Sequence, residues 1–285
     1  MIALLAVLLV ALAASLSMAE AQVRTLRNRS YFDAASVSAG DTTLDLYLPA
    51  AVRGRESMPR PILIFVHGGG WQIGDKRSHA AKGEYFASQG FIVATANYRM
   101  LPAADVATQA QDVARAVAWM AANAAMYGVD STRIFLMGHS AGAHLAALVA
   151  LDPSYLRSEG LPTTSIAGLV LLDGAAYDLV VDLDERREPR LMADVFGRDR
   201  AARRNLSPRH HVAPGRVPPP FLILHIPRSR STERSRELGV ALRAVGGRAM
   251  VVEAPGDSHR DINVEMGDLS DAETKLALEF LRSPG

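Results

Sequence analysis

The strongest constraint on this chain is a short turn between an apolar run and an alanine-rich run. Residues 134–137 are apolar and typical of a buried strand, whereas residues 141–150 favour a helix. Between them stands GHSAG at residues 138–142, a G-x-S-x-G pattern. Glycines on both sides of a serine let a strand and a helix approach closely around a sharp turn. The sequence therefore predicts a strand, a tight turn and a helix that together present the hydroxyl of Ser140.

The predicted helix also affects the chemistry of that serine. The first turn of a helix offers unpaired backbone N–H groups and the positive end of the helix dipole, both of which favour negative charge. The alternative is a glycine-rich turn with an incidental serine, because G-x-S-x-G alone is a weak pattern. The strand before it and the helix after it favour Ser140 as a nucleophile.

Apolar strands alternate with helices along the rest of the chain. Residues 61–66 are continuously apolar, as in a parallel strand that is covered on both faces. Residues 43–48 alternate apolar and polar side chains, which predicts a half-buried edge strand, and residues 23–40 resemble a polar arm. Further strands are expected at 90–96, 166–172, 218–225 and 249–253, and helices at 78–89, 105–126, 232–245 and 273–281. This alternation predicts a mostly parallel sheet with helices on both faces.

Composition fits one sizeable core. The chain has 285 residues, of which 49% are hydrophobic, and we expect a single domain over residues 22–285. A net charge of +1 gives no reason to expect nucleic acid or a membrane surface as a partner. The chain contains no cysteine, so its stability must come from the core rather than from disulfides.

The first 21 residues form a separate unit. Residues 2–16 are almost wholly apolar, and an A-x-A cleavage pattern stands at residues 19–21, although no Lys or Arg precedes the apolar run. We interpret residues 1–21 as a signal peptide, which predicts a secreted or periplasmic protein without a membrane segment after processing. The alternative is an uncleaved anchor, but the apolar run is shorter than the ~20 residues of a spanning helix.

A glycine-rich loop follows the strand predicted at 61–66. Its sequence is HGGGW at residues 67–71, and glycines without a Cβ allow backbone N–H groups to face a cavity. Loops of this type supply oxyanion-hole donors in lipases and esterases. The alternative is a flexible turn, which is less favoured in a chain that also contains the G-x-S-x-G pattern.

The serine needs a base, and histidine is the side chain that titrates near neutral pH. His259 lies in a GDSH loop after the last predicted strand, which suits a base. His139 adjoins the serine but is expected to point elsewhere, and His144 lies on the following helix. His210 and His211 fall in an irregular segment and are expected to be solvated.

Five motifs together resemble one known family. They are LDLYLP at 44–49, HGGGW at 67–71, NYR at 97–99, GHSAG at 138–142 and the late His259. On these motifs the chain resembles the α/β-hydrolase superfamily, in an esterase branch near carboxylesterases, feruloyl-esterase-like proteins and kynurenine formamidases. The resemblance spans nearly all of the chain after residue 21. It implies the α/β-hydrolase fold, with an eight-stranded, mostly parallel sheet and helices on both faces.

The resemblance also implies roles for individual residues. Ser140 would be the nucleophile and His259 the base, and the backbone N–H groups of Gly69, Gly70 and Ala141 would bind the oxyanion. No metal or cofactor is expected, because the chain has no H-E-x-x-H pattern, no cysteine cluster and no phosphate-binding loop.

The third member of the triad departs from the family pattern. Family members usually carry an Asp just after the strand equivalent to residues 221–225, but here residues 225–233 contain no Asp and are rich in arginine. Asp173 is the first candidate because it ends a strand, which is a rigid position. Glu233 is expected to begin a helix, Asp257 is too close to His259 along the chain, and a missing acid is a further alternative. A missing acid would predict a hydrolase slower by ~10⁴.

These features predict a serine hydrolase that cleaves small carboxylic esters, with short acyl or aryl groups, through an acyl-enzyme. The alternatives are an arylformamidase-type amide hydrolase and a catalytically weak homologue that serves as a binding scaffold. Residues 177–216, charged at 182–190, are a candidate for a small irregular cap. The identity of the ester, the role of the cap as a lid and the oligomeric state stay open.

Overall fold

The computed structural model describes residues 23–32, 37–38, 40–50, 58–174, 176–184 and 190–283. The expected signal peptide at 1–21 and residues 185–189 of the charged run lie outside these described residues. Within the described ranges, no helix combines the length and the apolar character that crossing a bilayer requires.

The described residues contain one eight-stranded sheet, in the order β1-β2-β4-β3-β5-β6-β7-β8. The strands are β1 Arg24–Ser30, β2 Thr43–Leu48, β3 Arg60–Val66, β4 Ile92–Ala96, β5 Val129–His139, β6 Ile166–Leu172, β7 Phe221–His225 and β8 Ala249–Glu253. The pairs β1–β2 and β2–β4 are antiparallel, and all other neighbours are parallel. The predicted fold class, a mostly parallel eight-stranded sheet, is confirmed.

Helices connect these strands and pack on both faces. They are α1 Ala80–Ser88, α2 Val106–Ala122, α3 Ala124–Tyr127, α4 Ala141–Leu151, α5 Pro153–Ser158, α6 Leu179–Asp184, α7 Arg190–Phe196, α8 Arg200–Asn205, α9 Ser229–Ala244, α10 Asp261–Val264 and α11 Ala272–Arg282. Single 3₁₀ turns occupy Lys76–His79 and Pro208–His211. The long helix predicted at 105–126 is interrupted at Asn123, which lies between the end of α2 and the start of α3.

The core lies on both sides of the sheet because successive residues of a strand face opposite ways. In β3, Ile62, Ile64 and Val66 join the cluster that contains α2 and α4. Leu63 and Phe65 join the opposite cluster, which contains α1 and α11. Every residue of α4 is buried, so the helix that follows the GHSAG turn is fixed against the sheet along its whole length.

Two expectations about the N-terminal part are wrong. Residues 23–40 contain the strand β1, which pairs with β2 and forms the edge of the sheet. The strand β2 is therefore internal, and all of its residues are buried rather than half-buried. Its polar Asp45 is buried against the amine of Lys76 at 2.7 Å, which accounts for the apolar-polar alternation.

The expectation of an irregular segment at 177–216 is also wrong for the described residues, which form α6, α7, α8 and a 3₁₀ turn. The buried Arg203 on α8 holds these short helices together. Its guanidinium donates hydrogen bonds to the carbonyl oxygens of Gly197 (2.8 Å), Leu179 (3.3 Å) and Met192 (3.2 Å). A buried guanidinium with several backbone acceptors can replace the apolar packing that such short helices lack.

Candidate active site

The carboxyl ends of the central strands are joined by hydrogen bonds just beyond the sheet. The N–H of Ser140 donates to the carbonyl of Leu172 at 2.9 Å, and the N–H of Asp173 donates to the carbonyl of Leu224 at 2.8 Å. Ligands of open α/β sheets bind at this edge. The residues that follow β5 and β6 therefore have fixed backbones at the edge where a site is expected.

The GHSAG turn has the geometry that its glycines predict. Ser140 has φ 54° and ψ −117°, a conformation that non-glycine residues rarely adopt and that costs about 1–3 kcal/mol. A Cβ on Gly138 would lie 2.3 Å from the carbonyl oxygen of Gly142, and one on Gly142 would lie 2.1 Å from that of Val66. The close approach of strand and helix thus requires glycine at both positions.

A line of hydrogen bonds joins Ser140, His259 and Asp173. The Nε2 atom of His259 lies 3.0 Å from the hydroxyl oxygen of Ser140, and its Nδ1 lies 2.6 Å from Oδ2 of Asp173. Asp173 is buried, whereas the His259 side chain is 38% exposed. The structure therefore brings together three residues that are far apart along the chain, and their catalytic roles stay a prediction.

Both oxygens of Asp173 accept hydrogen bonds. Oδ1 accepts from the hydroxyl of Ser231 and from the N–H of Ile226 (3.4 Å), and Oδ2 accepts from Arg228 (3.0 Å) as well as from His259. Burial alone would raise the pKa of Asp173, but the hydrogen bonds from His259 and Ser231 and the charge of Arg228 outweigh it and lower that pKa. Asp173 is therefore held as a carboxylate.

The other two candidates for the acid have different surroundings. Glu233 is exposed on α9, with Arg234 at 3.7 Å. Asp257 has a raised pKa because of burial and the nearby carboxylates of Asp271, Glu265 and Asp261. The oxygen that faces Nδ1 of His259 belongs to Asp173.

The glycine loop after β3 lies directly against the serine. A Cβ on Gly68 would approach the Cβ of Ser140 to 3.2 Å, and Gly70 lines the same pocket as Ser140. Among the described residues, none of the backbone hydrogen bonds in loops and turns uses the N–H of Gly69, Gly70 or Ala141 as a donor. The three N–H groups stay the predicted donors to a bound oxygen atom.

Trp71 anchors this loop. It has a positive φ of 61°, and its carbonyl oxygen accepts hydrogen bonds from the Gln109 side chain (2.9 Å) and the N–H of Leu101 (3.0 Å). Its indole N–H donates to Nδ1 of His144 at 3.3 Å, and Nε2 of His144 donates to the carbonyl of Leu206 at 2.7 Å. Burial lowers the pKa of His144 to about 4. A neutral His144 therefore links the loop to the helical segment 177–216.

Sequence reasoning missed the part that His139 plays in this site. Its Nε2 lies 2.8 Å from the carbonyl oxygen of His259, and the two rings pack with centroids 4.6 Å apart. Burial and the neighbouring His259 lower the pKa of His139 to about 4, so the ring is neutral near pH 7. The signal available in the sequence was its position at the end of β5, beside the serine.

Arg228 and Ser231 were also missed as contacts of the acid. They lie in the arginine-rich stretch after β7, which the sequence marked only as a departure from the family pattern. The expectation that His210 is solvated is wrong, because it is half-buried and its Nε2 lies 3.0 Å from Asp178.

A pocket of about 340 Å³ opens beside Ser140. Its walls combine apolar and charged side chains: Gly70, Trp71, Ser140, Asp173, Ala176, Leu191, Met192, Arg228, Arg230 and His259. Leu191 and Met192 come from α7, so the segment 177–216 does cover one side of the pocket. Two larger clefts, of about 410 and 440 Å³, lie at the opposite edge of the sheet, where the strands begin, and contain none of the predicted site residues.

Comparisons with known proteins fit this geometry. The BD-FAE family model matches residues 44–232. A probable isoprenylcysteine alpha-carbonyl methylesterase of Arabidopsis thaliana, ICMEL1, is 30% identical over 77% of this chain and 48% of its own length. Esterase LipC of Mycobacterium tuberculosis is 32% identical over 82% of this chain and 61% of its own. The chain thus spans about half the length of the first of these curated relatives.

Solved structures match over a greater length. A thermophilic esterase of Thermogutta terrifontis with butyrate bound superposes with a TM-score of 0.72 at 26% identity, covering 94% of this chain and 95% of the esterase. Esterase B of Lactobacillus rhamnosis has a TM-score of 0.73 at 24% identity, covering 99% of this chain and 94% of its own, and supports the fold alone.

Proposed function

The chain belongs to the BD-FAE family of α/β-hydrolases, and on that premise we propose that it is a serine hydrolase of carboxylic esters. One observation carries the proposal. The hydrogen-bonded line from Asp173 through His259 to Ser140 ends at a pocket whose wall includes the glycine loop. A placed hydroxyl, a base and available backbone donors are the parts that acyl transfer needs.

The proposed first half of the reaction forms an acyl-enzyme. His259 Nε2 takes the proton of the Ser140 hydroxyl while the serine oxygen bonds to the carbonyl carbon of the ester. The electron pair of the C=O bond moves to the oxygen, which the N–H groups of Gly69, Gly70 and Ala141 stabilise. When this intermediate collapses, the C–O bond to the alcohol breaks, and the proton on His259 goes to the departing alcohol.

The second half repeats these steps with water. His259 takes a proton from water, whose oxygen attacks the acyl carbon, and the serine oxygen leaves with the proton that His259 returns. Asp173 keeps Nδ1 of His259 protonated and stabilises the imidazolium that forms twice in each cycle. The products are a carboxylic acid and an alcohol.

The pocket favours a short acyl group. A volume of about 340 Å³ is at the low end of small-molecule sites, and the α7 side chains Leu191 and Met192 narrow it. The similar esterase of Thermogutta terrifontis holds butyrate. We therefore propose esters of acids with about two to four carbons as the best substrates, which chain-length series of nitrophenyl esters would test.

Labelling tests the nucleophile directly. The folded protein is treated with a fluorophosphonate probe, digested and mapped by mass spectrometry, with Ser140→Ala and Ser270→Ala treated in parallel; Ser270 is an exposed serine that contacts Asp268. We expect one modified serine, Ser140, in the parent protein and in the Ser270→Ala variant. Modification at another residue, or none, would contradict the proposal.

A paired assay tests the type of bond that is cleaved. An activated acetate ester and a formanilide are offered separately to the same preparation. We expect the value of kcat/KM to be greater for the ester, with a burst of nitrophenol that matches the concentration of enzyme. A greater value for the formanilide would favour an amide hydrolase that uses the same residues.

We also propose that the protein is exported, because residues 2–16 are apolar and are followed by an A-x-A pattern. In a bacterial host, the protein recovered outside the cytoplasm should begin at Gln22. Retention of residues 1–21 on protein found in the membrane fraction would favour an uncleaved anchor instead.

A further inference from the structure

The turn after β7 places a cation against the carboxylate that contacts His259. A terminal nitrogen of Arg228 lies 3.0 Å from Oδ2 of Asp173, and the same oxygen lies 2.6 Å from Nδ1 of His259. Asp173 is buried, and Arg228 is 44% exposed where it lines the pocket. One carboxylate oxygen is therefore shared between a permanent cation and the predicted base.

This arrangement has two physical effects on the base. The guanidinium and the Ser231 hydroxyl hold the two oxygens of Asp173 from different directions, which fixes the carboxylate against His259. At the same time, a positive charge next to a shared carboxylate opposes the formation of a second positive charge on the imidazole. Removal of the arginine should therefore move the acid limb of the activity profile upward.

Other titratable and charged groups surround the Asp173–His259 pair. His139, at the end of β5, has a pKa lowered to about 4 by burial and is neutral. Tyr177, after β6, is also neutral because burial raises its pKa. Lys82 on α1 influences His139, and burial lowers its pKa to about 8, which leaves it charged. Arg230 is a further cation that lines the same pocket, and Arg228 contacts the carboxylate itself at 3.0 Å.

We propose that Arg228 is a positioning residue of this site, which holds Asp173 against His259 and extends the activity of the enzyme toward acid pH. The inference rests on the proposed ester hydrolysis, and it adds a residue that acts on the base through the acid. A neutral substrate is required in its test, because Arg228 also faces the pocket and would attract an anionic one.

The experiment compares pH profiles of kcat/KM between pH 4.5 and 9 for the full chain and three variants, with an uncharged acetate ester. In Arg228→Gln, we expect the acid limb to move upward by about 0.5–1 pH unit, which is less than a buried charge in direct contact would give, because Arg228 is partly exposed and acts through Asp173. Arg228→Lys keeps the charge, so the acid limb of its profile should stay within about 0.2 pH unit of the parent's, while kcat falls several-fold. Arg236→Gln removes an exposed arginine of α9, the helix that begins just after Arg228, and should match the parent; Arg236 lies 3.6 Å from Glu253 of β8.

An acid limb that stays in place in Arg228→Gln would overturn the proposal, as would an equal shift in Arg236→Gln. If thermal denaturation shows that Arg228→Gln does not fold, Arg228→Met, which keeps the aliphatic stem, replaces it. If the parent chain neither cleaves esters nor reacts with the fluorophosphonate, ester hydrolysis has failed separately. The effect of Arg228 is then measured by NMR titration of His259 in full-length Ser140→Ala. Removal of Arg228 should raise the midpoint of this titration by the same amount as the acid limb. An unchanged midpoint overturns the proposal.

Discussion

Two aspartates that follow β6, Asp173 and Asp178, have closely similar surroundings. Each carboxylate is buried, and each contacts one histidine and one arginine. The distances are 2.6 Å to His259 and 3.0 Å to Arg228 for Asp173, and 3.0 Å to His210 and 3.1 Å to Arg209 for Asp178. The first cluster, Asp173 with His259 and Arg228, and the second cluster, Asp178 with His210 and Arg209, thus have the same residue types and similar contact distances.

They differ in what lies beyond the histidine and the carboxylate. The second nitrogen of His259 faces the Ser140 hydroxyl in the pocket. Asp178 instead accepts hydrogen bonds from the N–H groups of Val180 and Val181, at the start of α6. An Asp–His contact is therefore no evidence of catalysis by itself. Such a contact indicates a candidate active site only where the other nitrogen of the histidine faces a hydroxyl, as in His259. At Asp178, the carboxylate instead binds the N–H groups at the start of α6.

The largest expected difference between the two clusters is in turnover. We expect Asp173→Asn to lower kcat by about 10⁴, because the amide cannot hold the tautomer of His259 or stabilise its charged form. Steady-state hydrolysis of an activated acetate ester measures this. Asp178→Asn is the matched control and should change kcat by less than about threefold. Equal losses in the two variants would remove the distinction between the clusters.

A smaller effect is expected from the ring that packs against His259. In His139→Ala, the hydrogen bond to the His259 carbonyl and the ring contact are both lost, and we expect kcat to fall about 10- to 100-fold with little change in KM. The measurement is the same ester assay on protein with unchanged circular dichroism. His139→Gln retains a donor and should recover part of the rate. Full activity in the alanine variant would show that His259 needs no support from β5.

The third expected difference is in stability. Asp178→Asn weakens buried contacts to Arg209 and His210, so we expect the free energy of unfolding to fall by about 1–3 kcal/mol. Urea denaturation at pH 7 measures this change. His211→Gln, a neighbouring histidine that contacts the carbonyl of Asn205, is the comparison variant and should lose less. An unchanged unfolding midpoint in Asp178→Asn would show that the second cluster stabilises nothing.

The smallest effect is the pH dependence of that stability. Burial alone would raise the pKa of Asp178, but the N–H of Val181 and the neighbouring His210 and Arg209 outweigh it and lower that pKa in the folded state. The charged carboxylate therefore stabilises the fold above the unfolded pKa of about 3.9, and this contribution disappears as the pH falls through the lower folded value. The difference in unfolding free energy between the parent and Asp178→Asn should be smaller at pH 3 than at pH 5, because the carboxylate of the parent becomes protonated over that interval. A difference that grows between pH 5 and pH 3 would contradict this sign.

The sequence predicted the parts of the site that are encoded locally. The turn around Ser140 requires glycines at fixed spacing, and His259 follows the last strand, so both are visible in a single stretch of residues. The acid was harder to predict from the sequence, because Asp173, Glu233 and Asp257 each follow or flank a predicted strand. The lateral order of the strands favours Asp173, since β6 lies directly beside β5.

The remaining features depend on contacts between distant segments. The strand β1 has mostly exposed polar residues and no apolar periodicity, so only its pairing with β2 defines it. The helices α6, α7 and α8 have six or seven residues, too few to be stable alone, and Arg203 joins them through backbone acceptors. Arg228 could not be assigned either, because its contact with Asp173 spans 55 positions.

Three of the four non-glycine residues with positive φ in the described part of the chain, Trp71, Ser140 and Asp173, line the pocket. Such backbone conformations each cost about 1–3 kcal/mol, so the surrounding fold must be stable enough to impose them. Under the proposed function, thermal robustness and catalysis are then opposed at the same positions. A variant library selected only for survival of heating should accumulate changes such as Ser140→Gly, which relieve the backbone and abolish the chemistry, so any engineering for heat resistance has to be screened for turnover as well.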